Sequence, residues 1–413
     1  MTHTLLIIVI VLASILCMLL RPRGIAEAYW ACGGALLLMV TRLLPLRQAG
    51  HAVLEGLDVY LFLIGMMVLA ELAREGGVFD WVAVIAAQHA KQSQARLFFL
   101  IYLAGTITTT LLSNDATAVV LTPAVLAVVR KAKVPPKPYV LACALIANAA
   151  SFVLPISNPA NLVIFAKNMP PLAHWLRTFL LPSVASIAIT FVALRFLSRR
   201  ELSNGLNDPR EPAKLSHTGR FALIGLLVAC MALLVASLLG FDLGAPTCGA
   251  GLFVLLLVSL RDRSMPLKVA RSISWSVVPL VAGLFAMVEA LQSAGMMRLC
   301  LAALNALSNA PRVIGNLGAA FGVGLLSNAM NNLPVGLISG SALKAAHQSA
   351  GLAHSVLIGV DLGPNLSVTG SLATILWLIE LRRENVEITA WEFLKTGMIV
   401  MPLALLASIL LLT

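Results

Sequence analysis

The sequence predicts an all-α polytopic membrane protein, from its apolar composition, the spacing of its apolar segments and two polar interruptions that recur in its two halves. Of the 413 residues, 59% are hydrophobic and only 11% are charged. The mean hydropathy is +0.93. Because a soluble domain has about 25% charged residues, this composition predicts a chain that crosses the membrane many times.

The basic residues predict how the chain is oriented. The formal net charge is +11, but the basic residues fall between apolar segments and form no single patch, so no nucleic-acid partner is expected. Basic loops stay in the cytoplasm. The clusters expected there are Arg21/Arg23, Lys131/Lys133/Lys137, Arg195 to Arg220, Arg261/Arg263/Lys268/Arg271 and Arg382/Arg383. Only Arg42 and Arg47 fall on the opposite face. We therefore expect an inner (cytoplasmic) membrane protein with both termini periplasmic.

No cofactor and no structural metal are expected. The six cysteines are scattered, with no CxxC pair and no His or Cys cluster at metal-ligand spacing. The chain also lacks the G-x-x-x-x-G-K-[ST] pattern of a phosphate-binding loop. ATP use would therefore need a separate subunit.

Several segments have the length of a membrane-spanning helix, which is about 20 apolar residues. They lie near 4–20, 25–46, 57–74, 174–197, 218–240, 245–260, 275–293 and 391–412. The mixed segment from Val78 to Ala90 is too short to cross, and an interfacial helix is expected there. Residues 296–309 form a second short apolar segment.

Two long apolar segments contain a polar interruption. Residues 96–130 are interrupted by Ser113-Asn114-Asp115, and residues 312–345 are interrupted at 327–332, where the Leu-Leu-Ser-Asn sequence recurs. Each segment could form a broken helix or fold back as a re-entrant hairpin. Thr108 to Thr110 and Pro123 favour a tip that is not regular helix in the first case.

Two further spans are predicted to be broken helices. Residues 139–168 contain Pro155 to Asn161, and residues 354–379 contain Asp361-Leu-Gly-Pro-Asn365. Each proline removes a backbone donor and clashes with the preceding turn. The backbone groups freed there must meet water, side chains or substrate.

The order of these parts predicts two repeats. We expect an N-terminal repeat over 1–197, a cytoplasmic linker over 198–217 and a C-terminal repeat over 218–413. Gly65, Glu71 and Gly77 match Gly283, Glu289 and Gly295 at one constant offset. If each interruption is a hairpin tip, each half has about five spanning helices, an odd number, so the repeats have inverted topology.

Polar breaks at matching positions in two halves are typical of a transporter whose binding site lies at the bilayer midplane. The candidate substrate-binding residues all carry neutral hydroxyl or amide groups: Ser113, Asn114, Asn158, Asn161, Ser327, Asn328, Asn331, Asn332 and Asn365. Such groups suit a neutral polyhydroxyl solute, or an anion held at helix N-termini. The breaks contain no Lys or Arg, which disfavours a multiply charged anion. Any single asparagine could instead make an interhelical bond or a cap.

Asp115 is the one acidic residue in the predicted hairpin tips and is our candidate for proton coupling. The alternative is an ordinary N-cap for the helix from Ala116 to Val129. Asp361 could cap or join the site. For Glu71 and Glu289, structural carboxylates facing an interface are favoured over a role in coupling.

At these motifs the chain resembles the ArsB family of arsenite and antimonite efflux permeases, within the ion transporter superfamily. The similarity runs along the whole chain. The residues that carry it are Asn114 to Pro123, Ser157 to Asn161, Met330 to Pro334, and Asp361 to Asn365 continuing into Thr369 to Trp377. The superfamily's Ser-Asn-Thr tips are Ser-Asn-Asp and Ser-Asn-Ala here.

The resemblance implies export of As(III) and Sb(III) as neutral trihydroxides, which are substrate and not a resident metal. Export would occur by exchange for protons or with a cytosolic ArsA-type ATPase as partner. An alternative within the superfamily is a sodium- or proton-coupled carboxylate carrier. A membrane receptor that transports nothing is disfavoured, because it would gain nothing from repeated polar breaks.

Overall fold

The computed structural model describes residues 2–165, 169–203, 205, 215–346 and 350–412. Half of the predicted linker over 198–217 and the end of the segment 139–168 lie outside these residues. The described residues form 20 α-helices and no strand beyond a single bridge between Ser93 and Gly205. The all-α prediction is confirmed.

Ten helices lie in the first half of the chain. They are α1 Thr2–Leu20, α2 Glu27–Val40, α3 Leu46–Glu55, α4 Leu57–Glu75, α5 Val78–His89, α6 Gln94–Leu111, α7 Thr122–Lys131, α8 Lys137–Ala149, α9 Pro159–Phe165 and α10 Leu172–Leu197. A π-helical segment, Ala116–Leu121, leads into α7, and a 3₁₀ turn, Pro155–Ser157, leads towards α9.

Ten helices follow in the second half, in the same order of parts. They are α11 His217–Leu238, α12 Gly244–Ser259, α13 Met265–Ser272, α14 Val277–Ser293, α15 Met296–Ser308, α16 Arg312–Met330, α17 Asn332–Ala346, α18 Ala350–Leu362, α19 Leu372–Arg383 and α20 Ala390–Leu410. Two 3₁₀ turns, Gly363–Asn365 and Val368–Gly370, separate α18 from α19. Gly77 and Gly295, paired from the sequence, precede α5 and α15 with φ of 70° and 86°.

Five described helices are long and apolar enough to cross a membrane: α1, α10, α11, α16 and α20. Two bent pairs raise the number to seven, α3 with α4 at 47° and α13 with α14 at 41°. Helices α3 and α13 were not predicted from the sequence. Both are short and amphipathic, with polar residues between the apolar ones, so neither has the continuous apolar run by which spans were recognised.

The helices that face lipid are apolar outside and small or polar inside. On α10, Leu180, Leu181 and Val184 are half exposed, whereas Ser183, Ser186 and Thr190 are fully buried. Small and hydroxyl side chains let backbones approach closely and bond across helices. Accordingly, the Ser408 hydroxyl of α20 donates to the Pro182 carbonyl of α10 at 3.1 Å.

Several of the most extensive helix contacts join the two halves of the chain. The α4 helix packs most extensively on α12, and α2 packs on α14. The α4–α12 crossing is glycine-mediated, because a Cβ added to Gly65 would lie 2.4 Å from the Thr247 carbonyl oxygen, and one added to Gly251 would lie 2.8 Å from the Gly65 oxygen. This crossing holds α4 closely against α12.

Substitution of Gly65 by alanine should loosen this crossing. The added methyl meets backbone atoms that cannot rotate away, and overpacking of this kind costs about 1–3 kcal/mol. A cysteine-reactive dye or fluorescence-detected gel filtration should record a lower melting temperature for Gly65→Ala. Gly249→Ala on α12, where nothing lies within 4 Å of the added Cβ, is the control. Equal melting temperatures for the two variants would contradict the assigned contact.

Candidate functional site

The first polar interruption is a tip between α6 and the π-helical segment. The Ser113 hydroxyl accepts from the Ala116 amide at 3.2 Å, and Asn114 Oδ1 accepts from the Asp115 amide at 2.9 Å. These two side chains therefore occupy the amides at the start of the helix. The Asp115 carboxylate makes no capping bond, so the N-cap alternative for Asp115 is wrong: Ser113 supplies the oxygen that the alternative assigned to it.

The wider turn after the tip is held open by hydroxyl groups. Thr117 Oγ1 and Thr109 Oγ1 lie 2.8 Å apart and join the two arms of the hairpin. The Thr122 hydroxyl donates to the Thr117 carbonyl at 3.2 Å, five residues back along the π-helical turns. Such π-helical turns occur frequently at functional sites.

Asp115 and Ser113 line a cavity of about 70 Å³ between the two halves of the protein. The remaining wall comes from α4, the π-helical segment, Pro159, α19 and residues 273–277 around the start of α14. Its polar members besides Asp115 and Ser113 are Glu71 and Ser274, and its sulfur-bearing members are Met66 and Met67. None of the described lining residues is Lys or Arg. The cavity is thus neutral to acidic, and it has room for a few water-sized groups.

Glu71 faces this cavity but is already paired. Arg74 Nε donates to Glu71 at 2.6 Å, and Arg74 Nη2 donates to Ser272 on α13 at 3.0 Å. The pair connects α4 to the second half at one end of the cavity. The position fits the interface-facing carboxylate expected for Glu71.

The first broken helix is stabilised by side chains that pair with its freed carbonyls. Asn161 Nδ2 donates to the carbonyls of Ser151, Leu154 and Pro155 at 3.0, 3.4 and 3.3 Å. The Trp175 indole donates to the Phe152 carbonyl at 3.1 Å. Asn161 is fully buried, so in this conformation its amide holds backbone rather than facing a solute.

The second broken helix crosses the first. Asn158 Nδ2 donates to Asp361 Oδ1 at 2.8 Å, and Asn148 Nδ2 donates to Asn365 Oδ1 at 3.0 Å. Asn365 Nδ2 in turn donates to the Leu145 carbonyl at 3.0 Å. All of these side chains are buried. Asp361 therefore joins the polar centre as a partner of Asn158.

The expected break at 327–332 begins later than predicted. Ser327 and Asn328 lie inside α16, which continues to Met330. They keep helical geometry because their side chains satisfy carbonyls: Ser327 Oγ donates to Val323, and Asn328 Nδ2 donates to Gly324 and Gly363 at 2.7 and 2.9 Å. Ser367 Oγ donates back to Asn328 Oδ1 at 2.7 Å. Asn328 thus connects α16 to the second broken helix.

Asn331 and Asn332 form the actual tip. Asn331 has φ 74° and ψ 150°, a region that is essentially restricted to glycine. Asn332 is buried and begins α17. Asn331-Asn332 lies between α16 and α17, as Ser113-Asn114 lies between α6 and the π-helical segment.

A second, smaller cavity of about 10 Å³ adjoins this tip and is lined by Asn331 and Glu27. Leu372, at the start of α19, lines both cavities. Asp115 and Asn331 thus lie at neighbouring cavities that share this leucine. The carboxylate of Glu27 is paired with Arg21.

Sequence reasoning missed several residues of the polar centre: Asn148, Ser367, Thr369, Met66 and Met67. Asn148 stands alone in an apolar run, so nothing marked it except its polarity. Ser367 and Thr369 follow the second break, and Thr369 donates to the Asn328 carbonyl at 2.8 Å. The methionines could not be distinguished from ordinary core residues.

A helical protein with several membrane-spanning helices, whose halves meet at broken segments beside an acidic cavity, is a membrane transporter. Residues 4–359 match the citrate transporter family, CitMHS, and the chain belongs to that family. Together with the relatives below, this confirms the resemblance to ArsB: the protein is an ArsB-like transporter.

The chain is similar to arsenical pump membrane proteins of several bacteria. It is 27% identical over 402 residues to the arsenical pump membrane protein of Escherichia coli (strain K12), covering 94% of this chain and 93% of the relative. It is 28% identical over 349 residues to the arsenical pump membrane protein of Yersinia enterocolitica, covering 81% of each. The crystal structure of the Alcanivorax borkumensis YdaH transporter, described as having an unusual topology, shares the fold with a TM-score of 0.53 and 15% identity, over 88% of this chain and 86% of that one.

The strained backbone of Asn331 gives a stability prediction. Asn331→Ala and Asn331→Gly both remove the amide, but only glycine adopts this φ and ψ without steric cost, a difference of about 1 kcal/mol or more. Thermal melting in detergent should rank Asn331→Gly above Asn331→Ala. The reverse order would mean that the tip relaxes to another conformation when the asparagine is absent.

Proposed function

We propose that this protein exports arsenite and antimonite, as neutral trihydroxides, across the cytoplasmic membrane in exchange for protons. The main support is similarity over 94% of the chain to the arsenical pump membrane protein of Escherichia coli. The chemistry of the cavity agrees with this, because its lining offers carboxylate, hydroxyl and thioether groups and no basic side chain. A small, uncharged, oxygen-rich solute needs no counter-charge.

The cavity offers both kinds of group that a trivalent metalloid hydroxide can contact. Asp115 and Ser113 present oxygens to its hydroxyl groups, while Met66 and Met67 present soft thioether sulfurs to the metalloid. Ser113 and Asn114 already bond backbone amides, so they would orient the tip as well as contact solute. The other candidate residues form the polar centre around the cavity. They are Asn158, Asn161, Ser327, Asn328, Asn331, Asn332 and Asn365.

Asp115 is the proposed proton-coupling group. When the cavity faces the periplasm, its carboxylate takes up a proton; when the cavity faces the cytoplasm, it releases the proton and the solute binds. Proton and solute thus occupy the cavity alternately, and inward proton movement drives outward export. Asp115 suits this role because its carboxylate is not engaged as a cap.

We further propose that each hairpin is re-entrant and that the repeats, 1–197 and 218–413, insert with opposite orientation. The basic loops would then be cytoplasmic, together with the linker over 198–217, and both termini periplasmic. Two ion pairs join the halves at one end of the molecule, Arg130 with Glu384 at 2.6 Å and Lys137 with Glu392 at 2.6 Å. A cytosolic ArsA-type ATPase, where present, would dock at this basic face.

A second candidate is a sodium- or proton-coupled carboxylate carrier, which the description of the matching family favours. A citrate carrier must offset several negative charges, and the described lining residues offer no basic side chain for that purpose. Uptake of labelled citrate, dependent on sodium and absent for arsenite, would select this candidate over ours. An arsenite-sensitive strain carrying the protein, with and without an ATPase subunit, measures the resistance that our proposal requires.

Asp115→Asn should abolish proton-driven arsenite uptake into everted membrane vesicles, lowering the rate by at least tenfold. The amide keeps the size of the side chain but cannot exchange a proton. Asp80→Asn, at an exposed site on α5, is the control and should transport normally. Full exchange activity in Asp115→Asn, with wild-type protein levels, would rule out the coupling role.

Met67→Leu should raise the KM for arsenite severalfold while leaving the amount of folded protein unchanged. Leucine conserves the volume and apolar character of methionine, so only the soft sulfur is lost. Met231→Leu, 61% exposed on α11, provides the matched control. Unchanged transport by Met67→Leu and by Met66→Leu would show that the solute is held through its oxygens alone.

A further inference from the structure

The crossing of the two broken helices contains a carboxyl group that the cavity does not use. Asp361 is fully buried and does not line the cavity of Asp115. Its Oδ1 accepts from Asn158, while its Oδ2 is buried with no hydrogen-bond partner among the described residues. A carboxylate ion held by one neutral amide would be an uncompensated buried charge, which costs several kcal/mol.

No charged neighbour offsets that charge within the described part of the chain. The helices packed on α18 are α8, α9, α16, α17 and α20. Their titratable side chains are Lys137, Tyr139, Cys143, Arg312, Lys344, Glu392 and Lys395. Most stand in the first two turns of their helices, Lys344 is exposed, and no ion pair or hydrogen bond joins any of them to Asp361. His354, on α18 itself, packs among Phe165, Phe179 and His174.

The same network contains two more acceptors without donors. Asn148 Oδ1 and Asn161 Oδ1 are buried and have no partner among the described residues, whereas the amide nitrogens of both residues are bonded. Asn148 is bonded to Asn365, one turn beyond Asp361. Asn161 lies on α9, which begins directly after Asn158. The cluster therefore has three buried acceptor oxygens without donors. The cluster thus lacks hydrogen-bond donors, and a protonated carboxyl would supply one through its O–H group.

The two halves differ at this point by a single chemical group. Asn148 and Asp361 each stand next to the last residue of their helices, α8 and α18. In the proposed repeats, corresponding positions thus carry an amide and a carboxyl of almost the same shape. Only the second half can bind a proton here.

We propose that Asp361 is a second proton-binding group of this transporter, separate from Asp115 and placed where the two broken helices cross. The proton converts Oδ2 from an unpaired acceptor into a hydrogen-bond donor, the kind of group that this cluster lacks. Its loss leaves a buried negative charge that the crossing can tolerate only by opening. The coupling part of this inference rests on the proposed proton exchange, whereas the bound proton itself does not.

Infrared spectroscopy of the reconstituted full-length protein tests the bound proton directly. A protonated carboxyl gives a C=O stretching band that shifts in deuterium oxide. Asp361→Asn should remove one such component, and the double variant Asn148→Asp with Asp361→Asn, which moves the carboxyl to the equivalent position, should restore one. An unchanged protonated-carboxyl band in Asp361→Asn overturns the proposal.

Proton flux in proteoliposomes tests its part in transport. Asp361→Asn should lower the number of protons moved per arsenite by about half, since one of two proton-binding groups is lost, while Asp115→Asn stops the exchange altogether. An unchanged proton count overturns the coupling role. If wild-type protein moves no arsenite, the proposed function fails, and the infrared band still decides whether Asp361 holds a proton. A melting temperature raised by sodium in wild type but not in Asp361→Asn would make this a sodium site and overturn the proton assignment.

Discussion

The need to pair backbone carbonyls inside an apolar protein governs this structure. The two broken helices free carbonyl groups where there is no bulk water, and each unpaired group costs several kcal/mol. Asn161 and Asn365 supply the missing donors, as do Trp175 and Asn328. The asparagines therefore have a structural role, because their amides allow a helix to be interrupted inside the protein.

This pairing also connects the two halves. Asn158 donates to Asp361, and Asn148 donates to Asn365, so the two breaks are bonded to each other as well as within their own halves. A movement that separates the broken helices must exchange these bonds together. In the proposed transport cycle, alternating access would require these bonds to break and re-form together.

The cavity lies beside this crossing, against the glycine-packed helix α4. One wall of the cavity is tightly packed, and another carries the proposed proton-coupling carboxylate. The Gly65–Gly251 contact holds α4 on α12, while the π-helical turns after Asp115 leave the carboxylate free of a capping bond. A solute in the cavity would contact the tip of the first hairpin, α4 and α19 at the same time. Its binding would therefore depend on the relative position of the two halves.

The sequence by itself determined the all-α membrane fold, most helix positions and the two broken helices, because apolar run length and proline impose these locally. It also pointed to the ArsB resemblance. Only the tertiary structure decided that Asn328 lies within α16, that Asn331 is the tip, and that Asn148 and Asp361 each stand next to the last residue of a helix. These facts depend on where helices end and on which side chain supplies a missing donor. Hydrogen bonds between residues more than 200 positions apart leave no local pattern in the chain.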